Sequence, residues 1–323
     1  MKYSGIGGQA VLEGIMMKNG DKYAVSVRKP DGEIVTDIQE YHGICEKHAW
    51  MNLPFIRGVF RFWESLSVGM KALTYSSSFF EEEETADEKP GFLERMLTKE
   101  QLEKLMMTAS IVLAVIFSVG IFMLLPAWVG GLLKKIIASD LLVNFLEGIL
   151  RIALFILYVP LISLMNDIKR TFMYHGSEHK CINCIEHGLP LTVENVRNSS
   201  KEHKRCGTSF LLIVMVISIL IFMLVRVETI GMRLLSRVIL IPVIAGISYE
   251  FLRLAGISNS RCMTILSKPG MWLQGLTTKE PDDAMIEVAI TAVEAVFDWK
   301  EFEESLDPEQ RDCSSGNGKG GCR

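Results

Sequence analysis

Apolar residues in this chain are gathered into blocks, and the spacing within each block predicts a different kind of element. Near the N-terminus the blocks are short and alternating. Tyr23-Ala-Val-Ser-Val-Arg28 reads as a strand and Gly32-Glu-Ile-Val-Thr-Asp-Ile38 as its return, with Pro30-Asp31-Gly32 supplying turn chemistry between them. The run from Gly7 to Gly14, bracketed by glycines, is a candidate third strand; no Lys-Ser/Thr follows it, so it is not a phosphate loop. From 54 to 78 the period lengthens. Phe55, Val59, Phe62, Leu66, Met70 and Leu73 recur at helical spacing behind Pro54, which suits a first helical turn. Arg57, Arg61, Glu64 and Lys71 interrupt the stretch, so it predicts an amphipathic helix, lying on a bilayer or packed on a soluble core, rather than a span.

Four longer blocks follow, at 106–129, 142–165, 207–225 and 234–254. Each is long enough to cross about 30 Å of hydrocarbon at about 1.5 Å per residue. The first lies inside a stretch, Leu105 to Leu133, that contains no charged residue. The second carries Glu147 and Arg151 four apart, and the fourth ends with Glu250 and Arg253. Beyond them Ser267-Lys-Pro-Gly270 reads as a break, and 282–303 as a helix with Ile286, Ala289, Ile290, Val293 and Val296 on one face. The predicted fold class is mainly α: a polytopic α-helical membrane protein with about four transmembrane helices and a small N-terminal β unit. Its parts are a β-hairpin unit (1–50), the amphipathic helix (54–78), an acidic linker and lead-in (79–104) and a membrane domain (105–257). That domain carries a cytoplasmic loop (166–206), and a C-terminal cytoplasmic helical segment (258–304) and a disordered polar tail (305–323) follow it.

Composition sharpens this picture in two places. With 323 residues, 49% of them hydrophobic, and a net charge of −4, the chain is suited to a lipid bilayer as its partner and to no nucleic acid. The seven cysteines are an odd number, and Met1–Gly20 holds no basic-then-apolar leader, so reduced thiols or metal ligands are expected rather than a disulfide framework. Basic residues set the orientation. The 166–206 loop holds Lys169, Arg170, Lys180, Arg197, Lys201, Lys204 and Arg205, against Lys134, Lys135, Arg226, Arg233 and Arg237 on the opposite side, which places that loop and both termini in the cytoplasm.

The same loop concentrates the candidate chemistry. Of the six histidines, His175, His179, His187 and His203 fall within it, with Cys181, Cys184 and Cys206. His175-x-x-Glu178-His179 has the inverted zincin order, and on a helix its two imidazoles share a face. In one scheme His175 and His179 hold a divalent metal, zinc foremost, with a further ligand from Glu194, His203, Cys206 or Glu250 and with Glu178 as base. In the other, Cys181, Cys184, His203 and Cys206 form a closed structural zinc knot.

Several longer stretches resemble the YqhQ-like family of bacterial polytopic membrane proteins: Gly7-Gly-Gln-Ala-Val-Leu-Glu-Gly-Ile-Met-Met-Lys18, Tyr174-His-Gly-Ser-Glu-His-Lys180, Leu191-Thr-Val-Glu-Asn-Val-Arg197, His203-x-x-Cys206-Gly-Thr-Ser-Phe210, Ser248-Tyr-Glu250 and Gln274-x-x-Thr-Thr-Lys-Glu-Pro-Asp282. The family's function is unassigned, and it is described as a predicted metal-dependent enzyme. The resemblance implies a bacterial inner-membrane protein with polar motifs on one side, and it points to His175, Glu178, His179, Glu194, His203, Cys206 and Glu250. The expected function is a cytoplasm-facing, metal-dependent hydrolase of undetermined substrate. Two rivals stand beside it: a non-enzymatic membrane scaffold or assembly factor, and a transporter with Glu147, Arg151 and Glu250 along its path. The orientation predicts that a membrane-impermeant thiol reagent applied to intact cells leaves Cys181 and Cys313 unlabelled and reaches them only after permeabilisation; labelling from outside reverses the topology.

Overall fold

The period-2 blocks form a four-stranded antiparallel meander, β1 (Gly7–Val11), β2 (Gly14–Asn19), β3 (Lys22–Arg28) and β4 (Ile34–Glu40), with each strand beside the next in sequence. The computed structural model describes residues 3–80, 98–225, 230–258 and 260–306. Two-residue turns join β1 to β2 and β2 to β3, and both use the left-handed backbone, at Glu13 and Gly20. A longer turn through Gly32 joins β3 to β4. The expected hairpin is thus the second half of a larger sheet, and the candidate third strand is β1 with the start of β2.

The chain continues through α1 (Ile44–Lys47), a 3-10 turn (Ala49–Asn52) and α2 (Ile56–Ser77), the amphipathic helix. Next come α3 (Lys99–Val119), a π-helical turn (Gly120–Leu124), α4 (Leu125–Leu133), α5 (Asp140–Ile162), α6 (Asn166–Glu186) and α7 (Val193–Asn198). The C-terminal helices are α8 (Gly207–Leu224), α9 (Ile230–Ile257), α10 (Arg261–Thr277), α11 (Asp283–Glu294) and α12 (Trp299–Glu304). Four helical stretches, Lys104–Leu133, Asp140–Ile162, Gly207–Leu224 and Leu235–Ile257, are long and apolar enough to cross a membrane. Residues 81–97 of the predicted acidic linker and 307–323 of the predicted tail lie outside the described residues.

Three segments differ from their sequence reading. The stretch 166–206 is helical over Asn166–Glu186 and Val193–Asn198, and the second half of α6 is buried almost throughout. Ser267–Gly270 lies inside α10, where Pro269 forgoes one ladder hydrogen bond and the burial of Leu273 and Gln274 offsets it. The helix expected over 282–303 is two: Asp282 caps α11, and Asp298 caps α12 by accepting from the backbone N–H groups of Lys300 and Glu301.

Two units are distinct. The first comprises 1–80, 158–217 and 239–323. Its sheet is covered on both faces, as the strand period requires. Ile15 and Met17 join Tyr174, Ile182, Ile185, Met285, Ile286 and Val293 from α6 and α11. Met16, Val25 and Val27 join Val68 and Ala72 of α2 on the opposite face. The outer side of α2 exposes Phe62, Trp63, Leu66, Met70 and Leu73 at helical spacing. Cys181 is fully buried in the first cluster, so it is shielded from thiol reagents, and exposed Cys262 takes over as the useful probe of orientation.

The second unit, 81–157 with 218–238, has a charged knot among apolar helices. Arg237 pairs with Glu147; Arg151 lies 3.7 Å from the same carboxylate and donates from Nε to the Phe122 carbonyl at 3.0 Å. Both guanidinium groups also face the Phe222 ring, at 5.8 Å for Arg151 and 5.4 Å for Arg237. Removing the acid leaves two cations in an apolar setting. Glu147→Ala is therefore expected to destabilise the detergent-solubilised protein by about 3–5 kcal/mol in thermal or denaturant unfolding, with the Glu147→Ala/Arg237→Met double variant recovering part of the loss.

Candidate metal centre

The site begins with α6 as a helix whose polar side chains are buried. Lys180 donates from Nζ to the carbonyls of Arg197 and Ser199, both at 2.9 Å. Asn183 donates to the carbonyls of Ser200 at 2.7 Å and Glu202 at 2.9 Å. Irregular backbone held against a helix needs such donors, and here they bind the segment after α7 to α6. Gln274 of α10 completes the clamp. It accepts from the His203 N–H at 2.9 Å and donates to the His203 carbonyl and the Ser209 hydroxyl, each at 2.7 Å. These bonds bring Cys206, at the start of α8, back to the histidines of α6.

His175 and His179 do stand one turn apart on α6, with ring centroids at 4.4 Å. Gly176 between them allows this helix to pass the Lys279 carbonyl, into which any Cβ would run. Each ring commits Nδ1 to a backbone carbonyl: His175 to Thr277 at 3.0 Å and His179 to Lys201 at 2.7 Å. A carbonyl only accepts, so both Nδ1 atoms carry the proton and both Nε2 atoms present a lone pair. The His175 Nε2 lies 3.2 Å from Cys206 Sγ, whose S–H can donate to it, and the same sulfur accepts from the Thr208 N–H at 3.4 Å. One ligand atom from each of His175, His179 and Cys206 lies within 4.8 Å of the others.

Glu178 is 5% exposed and lines the same cavity. Burial pushes its carboxyl up to about 6, against the opposing effects of His175 and of the hydrogen bond from the Gly8 N–H. A side chain at Gly8 would crowd the Glu178 carboxyl carbon and the Met16 carbonyl, so glycine is what lets β1 lie across the acid. The cavity has a volume of about 580 Å³.

The other candidates are placed elsewhere. His203 lies beside His179, with ring centroids 5.9 Å apart, but its Nε2 faces Glu186 at 3.5 Å. Burial lowers its pKa, with Glu186 opposing that shift. Glu250 is taken by Arg57 in a two-pronged pair at 2.6 and 2.5 Å. Glu194 is exposed in the first turn of α7. Cys181 and Cys184 are buried in the apolar cluster, where burial pushes both thiols up, Cys184 to about 11. Cys184 points at the carbonyls of Leu189 and Pro190, 3.6 and 3.5 Å away. The four residues of the closed knot therefore do not converge, whereas His175, His179 and Cys206 do.

Sequence reasoning passed over Lys180, Asn183, Glu186 and Gln274, which hold the site without ligating anything. Lys180 and Gln274 stood in the motif stretches that carry the resemblance, without a role, and Asn183 and Glu186 had only their place next to the histidines and cysteines as a signal.

Residues 53–299 match a family described as "Protein of unknown function (DUF1385)". The chain is 37% identical over 298 residues to a Bacillus subtilis (strain 168) protein named "Uncharacterized protein YqhQ", a match covering 88% of this chain and 89% of that protein. No solved structure matches the chain.

Glu186 anchors the N-terminal segment beside the centre. Its carboxylate accepts from the Ser4 N–H at 3.0 Å and the Ser4 hydroxyl at 2.8 Å, and pairs with Arg205. Burial pushes this carboxyl up, but the bonds from His203, Ser4 and Arg205 together outweigh it and hold it at about 2, below its ordinary 4.5. A depressed carboxyl stabilises the fold above its ordinary pKa, and that stability drains as pH falls from about 4.5 towards 2. Unfolding followed across this window is expected to show wild type losing about 3 kcal/mol that Glu186→Gln does not lose.

Proposed function

The chain belongs to the family described as "Protein of unknown function (DUF1385)", and on that footing we propose that it is a metal-dependent hydrolase embedded in the bacterial plasma membrane, with its site on the cytoplasmic side. One observation carries the reading. Two imidazoles have Nδ1 committed to carbonyl oxygens, so their free Nε2 lone pairs converge with a thiol inside a cavity. Histidines that bind metals are oriented by this kind of outer hydrogen bond. A soft sulfur with two imidazoles suits zinc, and three protein donors leave a position for water.

A divalent ion held by His175, His179 and Cys206 would supply Lewis acidity and lower the pKa of a coordinated water. The chain's own groups account for the rest. Glu178, aligned by the Gly8 N–H, takes a proton from the attacking water. The water oxygen forms the new bond at the electrophilic centre. The leaving oxygen departs with the bonding pair and receives the proton from Glu178. His203, held by Glu186, keeps the cavity wall beside His179 in place.

The four apolar helices support membrane insertion, and the excess of Lys and Arg in 166–206 supports the orientation. The transporter reading loses its path residues, because Glu147 is engaged by Arg237 and Arg151, and Glu250 by Arg57. Elemental analysis of protein purified without chelator tests the proposal. Wild type and Glu178→Gln are expected to carry about one equivalent of a divalent transition metal, and His179→Ala and Cys206→Ala to lose it. A metal-free wild type, even after supplementation, overturns the reading.

A further inference from the structure

The cavity beside the metal centre has two chemically different walls. One is polar and carries Glu178, His175, His179 and Cys206. The other is built from Phe62 of α2, Phe210 and Leu211 of the first turn of α8, and Tyr249 and Leu252 near the end of α9. The rings of Phe62 and Phe210 lie 5.6 Å apart. α8 and most of α9 are helices apolar enough to cross a membrane, so this wall is continuous with the surface those helices offer to lipid. It reaches the exterior at Leu211, 45% exposed, and at Phe62, 38% exposed, where it joins the exposed apolar stripe of α2 through Trp63 and Leu66. A small polar substrate leaves such a wall bare, whereas an alkyl chain covers it.

Beside the Glu178 carboxyl, the cavity carries two cationic side chains. Arg205 and Arg61 both line it. Arg205 is already paired with Glu186 and stacked over the Tyr3 ring. Arg61 is 3.6 Å from Glu64, an acid that also accepts from the backbone N–H groups of Ile44 and Cys45. Both of those bonds go to Oε1, and the 3.6 Å from Arg61 to Oε2 is longer than a hydrogen bond, so the guanidinium of Arg61 retains N–H donors for an anion. About 580 Å³ suits a headgroup and the start of a chain, not a whole two-chain lipid, so the remaining chain would stay in the bilayer.

We propose that this cavity binds an anionic lipid with a phosphate headgroup, which enters from the bilayer along α2 and the ends of α8 and α9, with its phosphate on Arg61 and its first methylenes against Phe62, Phe210, Leu211 and Leu252. That the lipid is the substrate rests on the metal-centre reading; that it binds does not.

Binding is measured on full-length protein in non-ionic detergent with a fluorescent short-chain phosphatidic acid, a phosphatidylcholine carrying the same chains, and glycerol phosphate as a soluble competitor. Phosphatidic acid is expected to bind more tightly than phosphatidylcholine and to resist glycerol phosphate at equal concentration. Arg61→Ala is expected to weaken it roughly tenfold, with partial retention in Arg61→Lys. Leu252→Trp, which fills the apolar wall, is expected to weaken both lipids while metal content stays at the wild-type level. Equal affinity for the two lipids, or displacement by glycerol phosphate as readily as by lipid, overturns the proposal. So does unchanged binding in both Arg61→Ala and Leu252→Trp. Preferential lipid binding by a metal-free wild type would sink the metal-centre reading and leave this one standing.

Discussion

An imidazole withdrawn from water must place its ring N–H on an acceptor, and in this protein one half-buried and one buried ring on the same helix meet that demand with backbone carbonyls from distant parts of the chain. The His175 ring is tied to Thr277 and the His179 ring to Lys201. Each bond does two things. It satisfies a donor that burial would otherwise leave costly, and it fixes the tautomer so that the second nitrogen faces inward with a lone pair. The clamp of Lys180, Asn183 and Gln274 on the 197–209 backbone exists in service of the same geometry, because it sets where the Lys201 carbonyl and the Cys206 thiol fall. The sheet has a part as well. Gly8 lets β1 approach Glu178 closely enough to orient its carboxyl.

Charge within the apolar helices follows a different rule. An ion in such a setting is tolerated when paired, and the described pairs are mutual. Glu147 gathers Arg237 and Arg151, and Glu250 holds Arg57 in a two-pronged grip that also accepts from the Phe55 N–H. These are structural uses. They draw Glu250 away from the metal-capable cluster and separate, in chemical terms, the acids that hold helices from Glu178, which faces the cavity.

The position of the proposed centre at the ends of apolar helices constrains what it can act on. The cavity is polar at the histidines and apolar along Phe62, Phe210 and Leu252, so the molecule it fits best carries both characters. An amphipathic helix such as α2, with aromatic and aliphatic side chains outward and its other face on the sheet, is suited to lying at the bilayer surface beside that opening. The proposed hydrolysis and the proposed lateral entry of a lipid both follow from that one placement.

Much of this was legible in the sequence because it depends on neighbours only a few residues apart. Alternation marked Tyr23–Arg28 and its return strand, uninterrupted apolar length marked the four candidate spans, and the density of histidine and cysteine between 175 and 206 marked the site. Even the i, i+4 relation of His175 and His179 needed only a helix, and the structure supplies one despite Gly176. What the sequence left open were choices among equals. Glu194, Glu250, His203 and Cys206 all have ligand atoms, and nothing local says which approaches α6. Tertiary structure decided it through bonds between residues far apart in sequence: Gln274 reaches back 71 positions to set His203, and Arg57 meets Glu250 across 193. The same long-range packing turned a presumed loop into a buried helix and carried α10 through Pro269, because burying their apolar faces outweighs the local preference for a break. Period and composition report what a segment prefers; only the assembled core says which polar groups it must satisfy, and with what.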